Sequence, residues 1–152
     1  MSHLKIGDTA PDFKGLDHNG NELTLSSFLG KNLIIYFYPK DDTPGCTAEA
    51  CDLRDNYNMW LEKGYAVVGV SPDSVSSHQK FAVKYTLPFP LISDPEKVII
   101  KAYGAWGTKK MYGKEYEGLL RTTFVINEKG LIEQVFTKVQ TKEHTQQILK
   151  TL

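Results

Sequence analysis

The only thiols in the 152-residue chain are Cys46 and Cys51. Two cysteines are too few for a disulfide scaffold, and their spacing is not that of a CxxC motif. If they matter, they matter as chemistry. Cys46 ends the run Tyr38-Pro-Lys-Asp-Asp-Thr-Pro-Gly-Cys46. Thr43 followed by Pro44 reads as a helix start, Thr as N-cap and Pro at the first helical position. Cys46 is then the third helical residue. Unpaired N–H groups and the positive end of the helix dipole favour an anion there, and the anion of cysteine is its nucleophilic form.

Helical phase separates the two sulfurs. Cys46, Ala50, Leu53, Tyr57, Trp60 and Leu61 recur on one apolar face. Cys51 falls about 140° around the axis, beside Arg54, Asp55, Asn58 and Glu62. An ideal helix puts Cα atoms at that spacing roughly 8–9 Å apart, whereas a disulfide needs less than about 7 Å. The two thiols are either unrelated or joined by partial unwinding.

The surrounding elements alternate. Leu33 to Tyr38 is continuously apolar, the pattern of a strand buried on both faces, and Pro39 ends it. The helix opened at Thr43 is expected to reach Lys63 and stop at Gly64. Ala66 to Val70 reads as a second buried strand. Another helix opens at Ser74 or Ser76, where Ser76 and Gln79 fit a capping box, and ends before Pro88. Residues 89–93 suit a short strand, and Asp94-Pro95 a helix start closed by Gly104. Arg121–Ile126 and Leu131–Thr137 flank Asn127-Glu-Lys-Gly130 as a hairpin. Thr141 starts a last helix with Ile148, Leu149 and Leu152 on its apolar side, and Asp17-His-Asn-Gly-Asn21 is a tight turn between extended segments. Alternating strands and helices imply a sheet covered on both faces, with the 33–38 and 66–70 strands parallel. The expected fold is α/β, a thioredoxin-like mixed sheet with helices on both faces, in one domain spanning 1–152. Reactive groups in such sheets lie beyond the carboxyl ends of parallel strands, which is where the 38–46 segment falls.

Lysine plus arginine and aspartate plus glutamate are 18 each, so there is no net basic charge to argue for a nucleic-acid partner. The longest apolar run is six residues, against about 20 needed to span a bilayer. The start of the chain has no apolar core of a signal peptide, and a soluble, cytoplasmic protein with no membrane partner is expected. His3, His18, His78 and His144 show no metal-ligand spacing and read as surface residues. Asp41 and Asp42 read as solvated loop charges, and Lys109–Lys114 as a solvated loop. Trp60 fits the helix core; Trp106 either lines a pocket or simply packs.

The pattern Pro39-x-x-x-Thr43-x-x-Cys46 resembles the peroxiredoxin active site. The longer run from Tyr38 to Cys51, together with Arg121-Thr-Thr-Phe-Val-Ile126, Lys109-Lys-Met-Tyr-Gly-Lys114 and Gly7-Asp-Thr-Ala-Pro-Asp-Phe13, is similar to the bacterioferritin comigratory protein, or Q-type, subgroup. That resemblance covers nearly the whole chain. It implies a thiol peroxidase acting on hydrogen peroxide and organic hydroperoxides. Cys46 matches the peroxidatic cysteine and Thr43 the hydroxyl that bonds substrate. Pro39 matches the shield of the pocket, and Arg121 the guanidinium near the sulfur. Cys51 matches the resolving cysteine of members that keep both thiols in one helix, and Glu49 an acidic position that pairs with an arginine. Gly45 lets the backbone come close to the substrate. The resemblance further implies a Cys46–Cys51 disulfide, recycling by thioredoxin, a monomer, and no metal or organic cofactor. Ala48 departs from a common threonine without consequence for these roles.

A metal-binding module of the same fold, like Sco-type copper chaperones, is the competing reading. Its cysteine pair is spaced CxxxC rather than CxxxxC, and it would leave Pro39, Thr43 and Arg121 unexplained.

Overall fold

The longest apolar run of the chain becomes the middle of its sheet. In the computed structural model, which describes residues 3–152, β1 (Lys14–Asp17) and β2 (Glu22–Thr24) form a short hairpin ahead of β3 (Asn32–Phe37). Met1 and Ser2, part of the start read above for a targeting signal, lie outside the described residues. There follow α1 (Pro44–Asp55), α2 (Tyr57–Glu62), β4 (Tyr65–Ser71), α3 (Val75–Tyr85), β5 (Leu91–Ser93) and α4 (Val98–Ala102). The chain continues through β6 (Trp106–Met111), β7 (Lys114–Leu119), β8 (Thr122–Ile126), β9 (Ile132–Phe136) and α5 (His144–Leu149), the last entered by a single 3₁₀ turn at Thr141–Glu143. Seven strands form one sheet in the order β2-β1-β5-β4-β3-β8-β9. β3, β4 and β5 are parallel, and β8 runs antiparallel to β3. This is the expected mixed sheet, and each face carries its own apolar cluster. One gathers Leu33, Ile35, Phe37, Val68 and Phe124 under α4. The other gathers Ile34, Tyr36, Tyr38, Val67 and Val125 under α1, α2, α3 and α5. Among the described residues, no helix is long and apolar enough to cross a membrane.

Four expectations about elements are corrected. The single helix expected from Thr43 to Lys63 breaks at Asn56 (φ −109°, ψ 10°). The Asn56 side-chain amide donates to the Asp52 carbonyl at 2.8 Å, the local competition for backbone acceptors typical of asparagine. The break shifts the helical phase, so Trp60 is fully buried while Leu61 is 46% exposed. Residues 109–114 are not a loop but the heart of a separate two-stranded hairpin, β6–β7. Its turn, Tyr112-Gly113, has positive φ at both residues, as a two-residue hairpin turn requires. Trp106 opens this hairpin, packs on the α4-side cluster and carries Lys97 Nζ 5.0 Å from its ring centre. The capping box expected at Ser76 does not form; Ser74, the other start read for α3, caps it by accepting from Ser77 N–H at 3.1 Å. Asp94 does not start its helix directly; its carboxylate reaches past a turn to accept from Val98 N–H and Ile100 N–H at 3.0 and 2.8 Å.

The strand core beneath α1 is tightly fitted. Tyr36 on β3 pairs in register with Gly69 on β4, and its ring stacks on Tyr38 at 5.4 Å. A Cβ at Gly69 would lie 2.8 Å from Tyr36 Cζ and 2.9 Å from Leu91 Cδ2. Neither can move within a closed core, so Gly69→Ala is expected to cost about 1–3 kcal/mol. Urea denaturation, with an unchanged slope and a lower midpoint, measures it.

Candidate active site

β3 ends at Phe37, paired with Thr122 at the start of antiparallel β8. The loop after β3 and the residue before β8 therefore meet beyond the same edge of the sheet. From one side comes the first turn of α1, with Cys46 only 1% exposed. From the other comes Arg121. Its Nη2 donates to Cys46 Sγ at 3.2 Å and its Nη1 to Glu49 Oε1 at 2.7 Å. Glu49 lies one helical step from Cys46 and is fully buried. Gly45 explains how the guanidinium comes so close, since a Cβ there would sit 3.3 Å from Arg121 Nη2.

The electrostatics follow from burial. Desolvation pushes the Glu49 carboxyl up to about 7, against the pull of Arg121 in the other direction. For Arg121, burial works against the charged form, but the charges of Glu49 and Cys46 outweigh it and raise its pKa further. The guanidinium is thus a permanent cation, one-quarter exposed or less, shared between a sulfur and a carboxyl group. Cys51, half-buried on the neighbouring face of α1, is a free thiol like Cys46. Burial raises its pKa.

The sequence-derived residues divide clearly. Cys46, Arg121, Glu49 and Gly45 are brought together. Cys51 is on the same helix but off the Cys46 face, and Pro39 and Thr43 are half-buried in the loop between them and β3. Thr43 holds the N-cap backbone position, with its carbonyl accepting from Thr47 N–H at 2.8 Å. Its side chain does not cap the helix, however. The hydroxyl donates back to the Lys40 carbonyl at 2.9 Å, which folds the loop and leaves the oxygen lone pairs unspent.

Asp41 is not a solvated charge. It is 8% exposed and accepts from Tyr38 Oη at 2.6 Å and Ser77 Oγ at 2.8 Å, with His78 Nδ1 at 2.7 Å. Burial alone would raise its pKa, but these bonds and the His78 charge bring it below the usual carboxylate range. Its N–H donates to Asp73 Oδ2 at 2.6 Å. Next to it Asp42, at φ 58°, takes Lys84 Nζ and Tyr85 Oη, each at 2.7 Å. The loop that carries Pro39 and Thr43 is thereby fastened to α3. Asp41, Asp73 and His78 also bring potential metal-ligating atoms within 4.8 Å of one another, but each is already engaged in a hydrogen bond and neither cysteine is among them.

Two of the four histidines are not surface residues. His3 is exposed and His18 half-buried, but His78 and His144 are fully buried. The reason is the polar partners that the fold supplies to them. For His144 they are Thr123 Oγ1 at 2.8 Å and Gln147 Oε1 at 3.0 Å. The Gln147 position, one turn on, is the only local sign of this. Burial lowers the pKa of His144.

A buried thiol at a helix start thus lies against an arginine that precedes an antiparallel strand, beyond one end of a mixed sheet. Comparison with known proteins gives the family. The AhpC/TSA family model matches residues 6–135. Peroxiredoxin Bcp of Bacillus subtilis is 44% identical over 149 residues, covering 98% of this chain and 95% of that protein. Among solved structures, Xylella fastidiosa PrxQ superposes with a TM-score of 0.92 at 32% identity over 99% of this chain and 96% of that one. The Xanthomonas campestris bacterioferritin comigratory protein, described for its alkyl peroxide reduction activity, gives 0.87 at 35% identity over 99% and 96%. The chain belongs to the AhpC/TSA family of peroxiredoxins, in the Bcp/PrxQ subgroup, with their thioredoxin-like fold; it is a peroxidase that reduces peroxides.

The shifted carboxyl gives a stability test. Glu49 has a folded-state pKa of about 7 against an ordinary 4.5. Below 4.5 it is protonated in both states and costs nothing. As pH rises from 4.5 to 7 the unfolded chain ionises first, so folding stability falls, by roughly 3 kcal/mol in total. Glu49→Gln removes this loss. Denaturant titrations of both proteins across that interval should show the variant gaining on wild type as pH rises; a constant difference would contradict the assignment.

Proposed function

We propose that Cys46 is the peroxidatic cysteine and that hydrogen peroxide and organic hydroperoxides are its substrates. The observation that supports this most is the 3.2 Å contact between Arg121 Nη2 and Cys46 Sγ at the first turn of α1. The thiolate attacks the terminal oxygen of the hydroperoxide. The S–O bond forms as the O–O bond breaks, the oxygen bound to sulfur keeps its hydrogen, and the bonding pair leaves with the other oxygen. Sulfur is oxidised by two electrons and the departing RO⁻ takes a proton from solvent. Arg121 and the first-turn N–H groups of Gly45 and Cys46 face the charge that develops there, the kind of preorganised donor set that stabilises such a transition state. Thr43 Oγ1, its hydrogen spent on Lys40, accepts from the hydroperoxide O–H, and Pro39 shields the pocket.

Cys51 is the resolving thiol in this reading. It attacks the Cys46 sulfenic acid, the S–S bond forms and water leaves. A dithiol reductant of the thioredoxin kind returns two electrons and two protons. Both thiols of the cycle are in one chain, so one domain acting as a monomer in the cytoplasm suffices. Sulfur supplies the electrons, and no cofactor is called for.

Single-turnover stopped-flow oxidation and thioredoxin-coupled turnover, run side by side, separate these roles. Cys46→Ser should abolish both. Cys51→Ser should leave the first oxidation fast, stop coupled turnover and accumulate sulfenic acid. Arg121→Lys keeps the charge but loses the planar donor fork; a loss of about 10²–10³ in the oxidation rate is expected. Substantial activity in Cys46→Ser, or an unimpaired Arg121→Lys, would refute the corresponding assignment.

A further inference from the structure

Glu49 engages Arg121 with only one oxygen. Oε2 is fully buried and has no hydrogen-bond partner among the described residues. In front of it, 3.7 Å away, is Nε2 of the equally buried His144 on α5.

The neighbours of that ring fix its protons. Gln140 N–H donates to Gln147 Oε1 at 2.9 Å, and Gln147 Nε2 donates to the Lys138 carbonyl at 2.8 Å. The amide orientation is therefore settled, with its oxygen 3.0 Å from His144 Nδ1. An amide oxygen only accepts, so Nδ1 carries a hydrogen. In the neutral ring Nε2 is then a lone pair, taking the Thr123 hydroxyl hydrogen at 2.8 Å. That lone pair is then taken, and an ionised Oε2 3.7 Å away is left with no donor in a dry interior. An unsatisfied buried group costs about 1–3 kcal/mol, and more when charged. One proton on the pair offsets that charge, as O–H on Glu49 or as N–H on His144 with the Thr123 hydroxyl turned to accept it.

We propose that His144 is a positioning residue of the peroxidase: with Glu49 it holds one buried proton, and that proton decides how much of the Arg121 charge is left for Cys46. This rests on the roles given above to Cys46 and Arg121. With the proton in place, the Glu49–His144 pair is neutral overall, and the guanidinium acts on the thiolate and the departing oxygen. Without it, a full carboxylate lies 2.7 Å from Arg121 Nη1, drawing on the same charge and repelling both anions. The other groups facing the pair are Asp52 and Cys46 on α1, the Tyr36 hydroxyl on β3, and Arg121 before β8. Asp52, fixed by Thr145 N–H at 2.7 Å, adds negative charge and helps the pair keep its proton. Burial moves both groups toward their uncharged forms, Glu49 up and His144 down.

The test is single-turnover oxidation of Cys46 by hydrogen peroxide, from about pH 5.5 to about pH 9, the span in which such groups titrate. Wild type should rise with thiolate formation and then fall by about tenfold as the shared proton is lost, one pK unit of interaction being a tenfold effect. His144→Gln offers Oε2 an N–H without a mobile proton. It should be slower near neutrality by about the same factor, with the alkaline fall gone. Nitrogen-15 spectra of the reduced wild type should show the His144 imidazole protonated at Nδ1. A wild-type profile with no alkaline fall, a ring protonated at Nε2 alone, or superimposable profiles for wild type and variant would each overturn the proposal. In all three cases Cys46 oxidation confirmed by mass leaves the site reading standing, whereas failure of peroxide to oxidise Cys46 would overturn both.

Discussion

A guanidinium largely withdrawn from water must be matched on every side, and much of this structure serves that need. Arg121 meets Cys46 Sγ through one nitrogen and Glu49 Oε1 through another. Both partners come from successive turns of α1, so the helix start and the arginine fix each other. Antiparallel pairing of β8 with β3 delivers Arg121 to the sheet edge where α1 begins, and Gly45 leaves room for it there. The loop between β3 and α1 is in turn fastened to α3 through Asp41 and Asp42.

The same ties set the difficulty of the second half of the proposed cycle. α1 is held wound not only by its own hydrogen bonds but by its neighbours. Asp52 accepts from Thr145 N–H, Arg54 donates to the Tyr85 carbonyl, and Glu49 is committed to Arg121. In that state Cys46 is buried and Cys51 is turned to another face. An intact helix holds their Cα atoms roughly 8–9 Å apart, too far for a disulfide. Bringing them together sacrifices several of these bonds at about 1 kcal/mol each. Within the proposed cycle, an arrangement that positions the thiol well for peroxide thus positions it poorly for resolution.

The chemistry was more legible in the sequence than the elements around it. Thr43-Pro44 before Cys46 is a local signal, Glu49 and Arg121 enter only through the family resemblance, and the central strands announce themselves by unbroken apolar runs. What escaped depends on contacts between distant residues. His144 is buried because Thr123 and Gln147 receive it, and Asp41 because Tyr38, Ser77 and His78 do. Nothing local marks either as internal, apart from the Tyr38 and Gln147 spacings. The β6–β7 hairpin escaped for the opposite reason. β7 is exposed from Lys114 to Glu117, so it lacks the alternation that identifies a half-buried strand, and a Tyr-Gly turn is a weaker signal than Asn-Gly. Asn56 broke a helix that apolar periodicity alone would have continued.

In the proposed cycle the helix start must be wound to present Cys46 to Arg121 and unwound to join it to Cys51. Hydrogen exchange at the amides of residues 46–54, compared between the reduced protein and the protein oxidised by one equivalent of peroxide, tests this most directly. With the Cys46–Cys51 bond verified by mass spectrometry, protection through that segment should be present in the reduced form and lost in the oxidised one. Equal protection in the two forms, with that bond in place, would contradict it.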